Sequence, residues 1–487
     1  MGNHSSGRIW KTTAATIAGA VLAMSFSVAP ASAAPLVDGD QPGSITIHKF
    51  ERPSTPTGLP NDGTAVDTSA LTPLAGIGFT IQQVNALDLS TNAGWESAHN
   101  LSTVFSAEDP EGSITGAGFT LGTGLTQVTD TAGTASFTSL PVGLYLVTET
   151  SYPSSVTPSA PFLVSVPLTD PNTTDNWLYD VHVYPKNSVT TAAKTVSDAA
   201  DINLGDQIDF TISGDIPNEA VLDGYKVVDA LDPKLTYINA TATLVDGTVI
   251  TEVIDYTVAF DAATNTVSVT FTPEGLAVLA AHNDTRVQVV VNTTVNTIGE
   301  IANSATVFPN AGSFTGTGVP TPPVVTKWGE ITLQKVGPTG AALAGASFSV
   351  YANEADALAG ANPIVLNSQS VFTVAADGTL TISGLRYSDW ANGATVSPGS
   401  PDYRTYYLVE TAAPAGHELL AAPVSFLINT ATTTAGVDLE ITNVPSNNGF
   451  ELPLTGGVGA ALFYAGGSLL VAGAALLLVR SRRAAKN

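Results

Sequence analysis

Three lysines occupy strand positions whose side chains should point into a protein core. Side chains i, i+2 and i+4 of a strand share one face. Each lysine shares its face with apolar residues, in the sets Ile45, Ile47 and Lys49; Ala192, Lys194 and Val196; and Ile331, Leu333 and Lys335. Lysine is almost never buried without a partner. The alternation therefore predicts a buried polar partner for each of the three amines.

The same alternation supplies those partners. Each lysine is followed along the chain by an acidic residue and then by an asparagine, and both share a face with apolar residues. The resulting sets are Lys49, Glu149 and Asn187; Lys194, Asp229 and Asn303; and Lys335, Glu410 and Asn443. Asp209 is an alternative to Asp229 as the acid of the middle set. Each asparagine stands in what the pattern predicts to be the last strand of a domain.

Such a set could form a covalent bond. Burial disfavours charge, so it lowers the pKa of a lysine and raises the pKa of a carboxyl group by up to about 3–5 units. A neutral amine can attack the asparagine carboxamide while the acid, Glu149, Asp229 or Glu410, donates to the carbonyl oxygen and shuttles the proton. Ammonia leaves, and a Lys–Asn isopeptide bond remains without help from another enzyme. The alternative for each set is a buried salt bridge with no covalent bond.

The elements that must position these sets are β-strands. The 487 residues include 44 glycines, 30 prolines and no cysteine, and they show few long helical periods. This pattern favours an all-β chain of antiparallel sandwiches. Without disulfides, the domains must be stabilised in another way, and a bond between first and last strands would constrain the unfolded state as a disulfide does. The net charge of −25 argues against nucleic acid as a partner.

An internal repeat divides the chain. Three segments recur in the same order: Ser44–Lys49 resembles Glu330–Lys335, Leu74–Phe79 resembles Leu343–Phe348, and Tyr145–Thr150 resembles Tyr406–Thr411. The sequence predicts domains at 34–188, 189–326 and 327–448, with linkers near 188–191 and 317–326. Residues 86–130 have no counterpart in the third domain and are predicted to be an insertion with a helix around Glu96–Phe105.

Both ends of the chain carry export signals. Residues 1–33 are predicted to be a signal peptide, with an Ala31-Ser32-Ala33 cleavage site. Residues 449–487 contain Leu452-Pro453-Leu454-Thr455-Gly456, then 457–479 without a charge, then a basic tail. The uncharged stretch is long enough for a transmembrane helix, and the basic tail is expected to stay cytoplasmic. The pentapeptide resembles the LPxTG sorting signal of Gram-positive sortase substrates.

A second motif precedes the middle domain. The segment from Asn176 to Asn187 resembles the pilin motif WxxxVxVYPK at every specified position, which here are Trp177, Val181, Val183, Tyr184, Pro185 and Lys186. If Asn187 faces the core, strand alternation predicts that Lys186 faces solvent, where its amine is accessible. Pro185 fits the end of an edge strand, where a missing N–H costs little.

The buried sets resemble the CnaA and CnaB domains of Gram-positive surface proteins. The segment from Tyr406 to Gly416 resembles the pilin E box and identifies Glu410 as its acid, although His417 stands where the family usually has tyrosine. Glu149 lies in a poorer copy of this motif, and Asp229 fits the middle domains of the family that use aspartate. Together these resemblances identify three tandem Ig-like domains of a sortase-assembled backbone pilin.

The resemblance implies a mechanism and a set of partners. A pilin-specific class C sortase would cut after Thr455 and hold it as a thioester, which Lys186 of an identical subunit attacks. Because donor and acceptor differ, the contact does not close, and a fibre results. A housekeeping sortase would then attach the fibre to peptidoglycan. Minor or tip pilins and an adhesion ligand on a host or bacterial surface are further implied partners, and no cofactor is implied.

Two other functions fit parts of the sequence. A wall-anchored adhesin or ancillary pilin could share the same domains, but it would usually lack the pilin-motif lysine. A secreted enzyme is disfavoured because the six histidines form no H-E-x-x-H spacing and no nucleophile or nucleotide motif is present. The acidic segment 170–175 leaves calcium binding open, although no EF-hand spacing occurs.

Overall fold

β-Strands dominate the protein, as the sequence predicts. A computed structural model describes residues 36–434, 436–446 and 464–476. Its buried apolar side chains separate into one cluster between residues 196 and 328, a second between 331 and 441, and a pair between 45 and 181. We call these parts the first, middle and third units in chain order.

The first unit combines four sheets, of two, three, three and five strands, with two helices. Its elements are β1 (Gly43–His48), β2 (Phe50–Glu51), β3 (Gly78–Asn85), α1 (Asn92–Val104), α2 (Pro110–Gly116), β4 (Thr120–Leu121), β5 (Leu125–Val128), β6 (Thr134–Leu140), β7 (Gly143–Ser151), β8 (Val156–Thr157), β9 (Phe162–Val166), β10 (Leu168–Thr169), β11 (Trp177–Leu178), β12 (Asp180–Val183) and β13 (Lys186–Val189). Strand β1 lies between β12 and β6, and β13 lies between β2 and β8. The last strands therefore run beside the first ones.

The predicted insertion is helical and has its own small core. Helix α1 covers the predicted helix from Glu96 to Val104, and it begins earlier because the Thr91 side chain caps it by accepting from the Gly94 N–H. The second helix, α2, was not predicted; Asp109 caps it in the same way. Leu101 of α1 and Ile114 of α2 are fully buried in the cluster beneath β3 and β7.

The middle unit is a sandwich of a four-stranded and a five-stranded sheet. Its elements are β14 (Ala192–Ser197), β15 (Gln207–Asp215), β16 (Lys226–Ala230), β17 (Leu235–Leu244), β18 (Tyr256–Asp261), β19 (Thr266–Phe271), α3 (Pro273–Ala281), β20 (Arg286–Val295), β21 (Gly299–Asn303), β22 (Ala305–Phe308) and β23 (Val319–Pro320), with a 3₁₀ turn at Ala311–Thr315. The sheet orders are β14-β15-β20-β17 and β18-β19-β16-β22-β23.

The third unit repeats the first without its insertion. Its elements are β24 (Val324–Val336), β25 (Ser347–Tyr351), α4 (Glu354–Ala359), β26 (Phe372–Thr373), β27 (Thr379–Arg386), β28 (Trp390–Ala391), β29 (Ala394–Thr395), β30 (Tyr406–Ala412), β31 (Val424–Phe426), α5 (Thr430–Thr434) and β32 (Leu439–Thr442). First strand β24 and last strand β32 pair in parallel.

Neither predicted linker is an exposed, unstructured segment. At the first junction, β14 begins three residues after β13 ends, and the intervening Thr190 is 2% exposed. At the second, β24 runs unbroken for 13 residues and pairs with β21 of the middle unit before it pairs with β27 of the third. Thr321 and Thr326, both in the predicted linker 317–326, are buried. The exact boundaries at 188 and 326 stay predictions.

The predicted signal peptide at 1–33, the LPLTG motif at 452–456 and the basic tail lie outside the described residues. Residues 464–476, inside the predicted transmembrane stretch, are helical. Within the described ranges, no helix is both long and apolar enough to cross a membrane.

Candidate functional site

The third unit brings Lys335, Glu410 and Asn443 together in its core. The Lys335 amine donates to the Asn443 side-chain oxygen and, at 2.9 Å, to the Ile441 carbonyl. The Asn443 side-chain nitrogen donates to both Glu410 oxygens at 2.9 and 2.8 Å. Lys335 and Glu410 are 3.9 Å apart. The carboxylate is held by the Leu420 N–H at 2.9 Å, so each group has a fixed neighbour.

Parallel pairing of first and last strands explains this contact. In the third unit Lys335 lies opposite Ile441, two residues before Asn443. In the first unit Ile47 lies opposite Val183 and Phe50 opposite Lys186, so the constant offset of 136 places Lys49 beside Pro185, again two residues before the asparagine. Since alternate residues share a face, both registers bring the two side chains to the same buried side.

The first unit has the same arrangement. The Lys49 amine donates to the Asn187 oxygen at 2.5 Å and pairs with Glu149, and the Asn187 nitrogen donates to Glu149 at 2.9 Å. Ser159 donates to Glu149 through its N–H and its hydroxyl, both at 3.1 Å. The amine lies 5.6 Å from the centre of the Phe79 ring. Lys49 and Asn187 are both fully buried.

The middle unit assembles its set differently, across the two sheets. The Lys194 amine is 2.6 Å from Asp229, which accepts a 3.4 Å hydrogen bond from the Asn303 nitrogen. The Asn303 oxygen and the second Asp229 oxygen are buried without a hydrogen-bond partner. The alternative acid Asp209 is wrong: it lies on the outward face of β15 while Phe210 points inward, 5.0 Å from the Lys194 amine.

Burial shifts these groups toward reactive protonation states. It lowers the pKa of Lys49 and the pKa of Lys194 to about 8, against the opposing attraction of Glu149 and Asp229. Burial likewise lowers the pKa of Lys335 and raises the pKa of Asp229. The neutral amine is the nucleophilic form, so these shifts favour attack.

The sequence predicts that the acid lies at the carbonyl oxygen of the asparagine, but in the structure it lies on the other side of the amide. In the outer units the carboxylate instead accepts from the asparagine nitrogen, while the amine contacts the oxygen. The acid is thus beside the nitrogen that would leave as ammonia, where a proton is needed.

Lys186 is less exposed than predicted. Strand β13 lies between β2 and β8 and not at a free edge, so the residue is half-buried. Its amine donates to the Tyr184 carbonyl at 3.3 Å. Burial and, second, the nearby Arg52 charge lower the pKa of Lys186. The residue lines an open groove of about 1400 Å³ that also contacts Arg52, Trp95 and Asn218.

Four other motif residues line this groove, namely Val181, Val183, Tyr184 and Pro185, and Trp177 contacts the lining residue Trp95. Trp177 stacks on Trp95 of helix α1, with ring centres 5.5 Å apart. The Tyr184 ring stacks on His48 at 4.9 Å, and its hydroxyl donates to the Thr64 carbonyl at 3.2 Å. Val181 is buried in the core and Val183 packs against it. Pro185 occupies the break between β12 and β13, where its carbonyl accepts from the Phe50 N–H.

Some contacts gave no sequence signal. Ser159, which holds Glu149, follows a short strand in a loop with no pattern of its own. Arg52 and Glu219 form an ion pair at 2.9 Å across 167 residues of chain, and only the fold brings them together. In the described part of the chain, no three His, Cys, Asp or Glu side chains are grouped to hold a metal ion.

Comparison with known proteins covers nearly the whole chain. Residues 40–188 match the N-terminal D1 domain of Gram-positive pilin subunits, 329–443 a prealbumin-like fold domain, and 444–486 the LPXTG cell wall anchor motif. Fimbrial subunit type 1 of Actinomyces viscosus is 33% identical over 96% of this chain and 95% of its own. Fimbrial subunit type 2 of Actinomyces naeslundii is 32% identical over 91% of each. The full-length major pilin SpaD of Corynebacterium diphtheriae superposes with a TM-score of 0.64 at 30% identity, covering 84% of this chain and 98% of that one.

Proposed function

We propose that this chain, which belongs to the family of Gram-positive fimbrial subunits, is the shaft subunit of its pilus and is joined to its neighbours through Lys186 and Thr455. The broader function rests on the comparisons: the chain is a sortase-assembled pilus subunit, anchored to the cell wall at its LPXTG end. Its family consists of structural subunits.

The position of Lys186 supports its role in the bond between subunits. Its amine has a lowered pKa and lines an open groove, so an acyl group can reach it. A pilin-specific sortase holds Thr455 as a thioester; the amine attacks the carbonyl carbon, the C–N bond forms, the C–S bond breaks and the cysteine thiolate leaves. Repetition gives a head-to-tail fibre, which a housekeeping sortase transfers to peptidoglycan. Minor or tip pilins and a surface ligand complete the partners.

We expect K186R to abolish polymerisation, because a guanidinium keeps the charge but does not act as a nucleophile. The measurement is the ladder of covalent multimers in cell-wall extracts of the producing bacterium. K234R is the matched control, since Lys234 is also half-buried and also donates to a backbone carbonyl. If K186R still formed covalent multimers, the subunits would be linked through a residue other than Lys186. If the unmodified chain gave only a single wall-attached species, the chain would instead be an ancillary pilin.

We also propose that the three buried sets form Lys–Asn bonds. The amine attacks the asparagine side-chain carbon, the new C–N bond forms, and the original nitrogen leaves as ammonia. The contacts at Lys335 and Lys49 support this best, because amine, carboxamide and acid touch in both. In the middle unit Asp229 touches both partners.

Intact mass tests the bonds directly. Residues 34–451 should weigh less than their sequence by three ammonias, or by two if the first-unit bond forms late. E410Q should restore one ammonia, because the Lys335–Asn443 bond loses its acid. E440Q is the control, as Glu440 lies on the exposed face of β32. A mass equal to that of the sequence would leave only buried salt bridges.

A further inference from the structure

Strand β13 contains both Lys186 and Asn187, and it is contacted by the middle unit. The contact is made by Glu219, in the loop between β15 and β16. One of its oxygens is 2.9 Å from an Arg52 guanidinium nitrogen, and the other accepts from the Ser188 hydroxyl at 3.0 Å. Both oxygens are therefore bound by the first unit.

These two contacts lie beside the reactive pair, next to Asn187. Ser188 follows Asn187 directly and is 5% exposed. The Arg52 N–H donates to the Asn187 carbonyl at 2.8 Å, so the backbone of Arg52 holds β13 while its side chain holds Glu219. The Glu219 side chain is 19% exposed, and burial raises the pKa of Glu219 against the attraction of Arg52. A carboxylate in this position is already partly desolvated, and the ion pair compensates for it.

We propose that Glu219 is a positioning residue for the acceptor strand: by binding Arg52 and Ser188 at once, it makes the middle unit complete the site at which Lys186 receives the next subunit. This rests on the proposed role of Lys186 as acceptor. The carboxylate does not touch the reacting atoms and acts through the two residues that it holds.

The short pairing of β13 is the reason that such support matters. This strand has two paired residues with β2 and two with β8, so each of its ladders is two residues long, whereas the four pairs of β32 form one continuous ladder with β24. Ladders this short open easily. Without Glu219, the Lys186 amine would spend less time in the geometry that attack on the thioester requires.

The test measures how fast pulse-labelled full-length chains enter the fibre in the producing bacterium. We expect E219Q to slow the conversion of monomer to polymer about tenfold, the size of one charge-assisted contact, with little change in the total amount of labelled chain. R52M should do the same, and the double variant should be no slower than either, because the contacts form one unit. E219D should recover part of the rate.

The control is E252Q, which neutralises an exposed carboxylate of the same unit. If Glu219 only stabilised the fold, E219Q would lower the total amount of labelled chain and leave the rate of its conversion to polymer unchanged. That result would overturn the proposal, and so would a wild-type rate and amount in E219Q. Polymer formed by K186R would instead refute the acceptor role itself, so the two failures can be told apart.

Discussion

The chemistry of each buried set depends on where single atoms lie. Lys194 has its amine 2.6 Å from one Asp229 oxygen and 5.0 Å from the centre of the Phe210 ring, and its side chain is fully buried. Burial therefore lowers the pKa of Lys194 to about 8. If the bond to Asn303 forms, this titration disappears, because an amide nitrogen does not take up the proton.

A variant that cannot form the middle bond should reveal the titration as a pH-dependent stability. In N303A, folded Lys194 has a pKa of about 8 and the unfolded lysine one of 10.5, so the unfolded chain binds more protons between these values. The free energy of unfolding should then rise across this window, by roughly 1–3 kcal/mol. Denaturant unfolding near both ends of the window measures it.

The control for that measurement is the double variant K194M/N303A, which lacks the titrating amine. It should show a flat profile over the same pH range. Equal slopes in the two proteins would mean that other groups cause the dependence and that Lys194 is not held in its neutral form.

At the scale of elements, strand β24 joins two units. Its first half pairs with β21 and its second half with β27 and β32. Trp328, which pairs with both Gly299 of β21 and Arg386 of β27, is fully buried in the middle core. The Asp198 carboxylate adds a contact by accepting from the Asn392 N–H at 2.6 Å. These features make the middle and third units one body.

Interrupting β24 should release the two units. Two glycines inserted between Trp328 and Gly329 break the shared ladder and add flexible backbone. Small-angle scattering should then show a broader distribution of interatomic distances. The same insertion after Gly399, in an exposed turn with φ of +89° and open space around it, should leave the distribution unchanged. An equal effect at both places would show that β24 does not couple the units.

Strand alternation predicted most of the candidate site, because side chains alternate between the two faces of a strand and burial of one face fixes which residues point inward. It placed Lys49, Lys194 and Lys335 inward, and it placed the three asparagines inward on the last strands. It did not predict the half-burial of Lys186, since alternation says which face a residue takes and not what covers that face. Contacts supplied by loops, such as those of Ser159 and Glu219, depend on the folded chain path and carry no local signature.

For the whole molecule, the units differ in how their last strands are paired. The closing strand of the first unit pairs over only two residues with each neighbour, and the groove beside it is open. If a sortase must loosen β13 to reach Lys186, the neighbouring bond at Asn187 would form late. The first unit would then be the one with the lowest local stability.

Limited proteolysis of the unpolymerised chain tests this order. We expect cleavage within residues 36–185 first, while the middle and third units persist as one fragment. Protease treatment of the assembled fibre should cleave the first unit more slowly than in the monomer, because the strand is then fixed. Equal resistance of all three units in the monomer would contradict the expectation.

The place of Lys186 at the junction between units has a mechanical consequence. Tension from a neighbouring subunit would enter at this side chain and leave through the chain that follows β32, so it would run along residues 186–455 only. The rest of the first unit would lie outside this path and would carry no tension. Covalent reinforcement would therefore be needed at Lys194 and Lys335, in the two units loaded in series, while the bond at Lys49 could be absent without lengthening a stretched fibre.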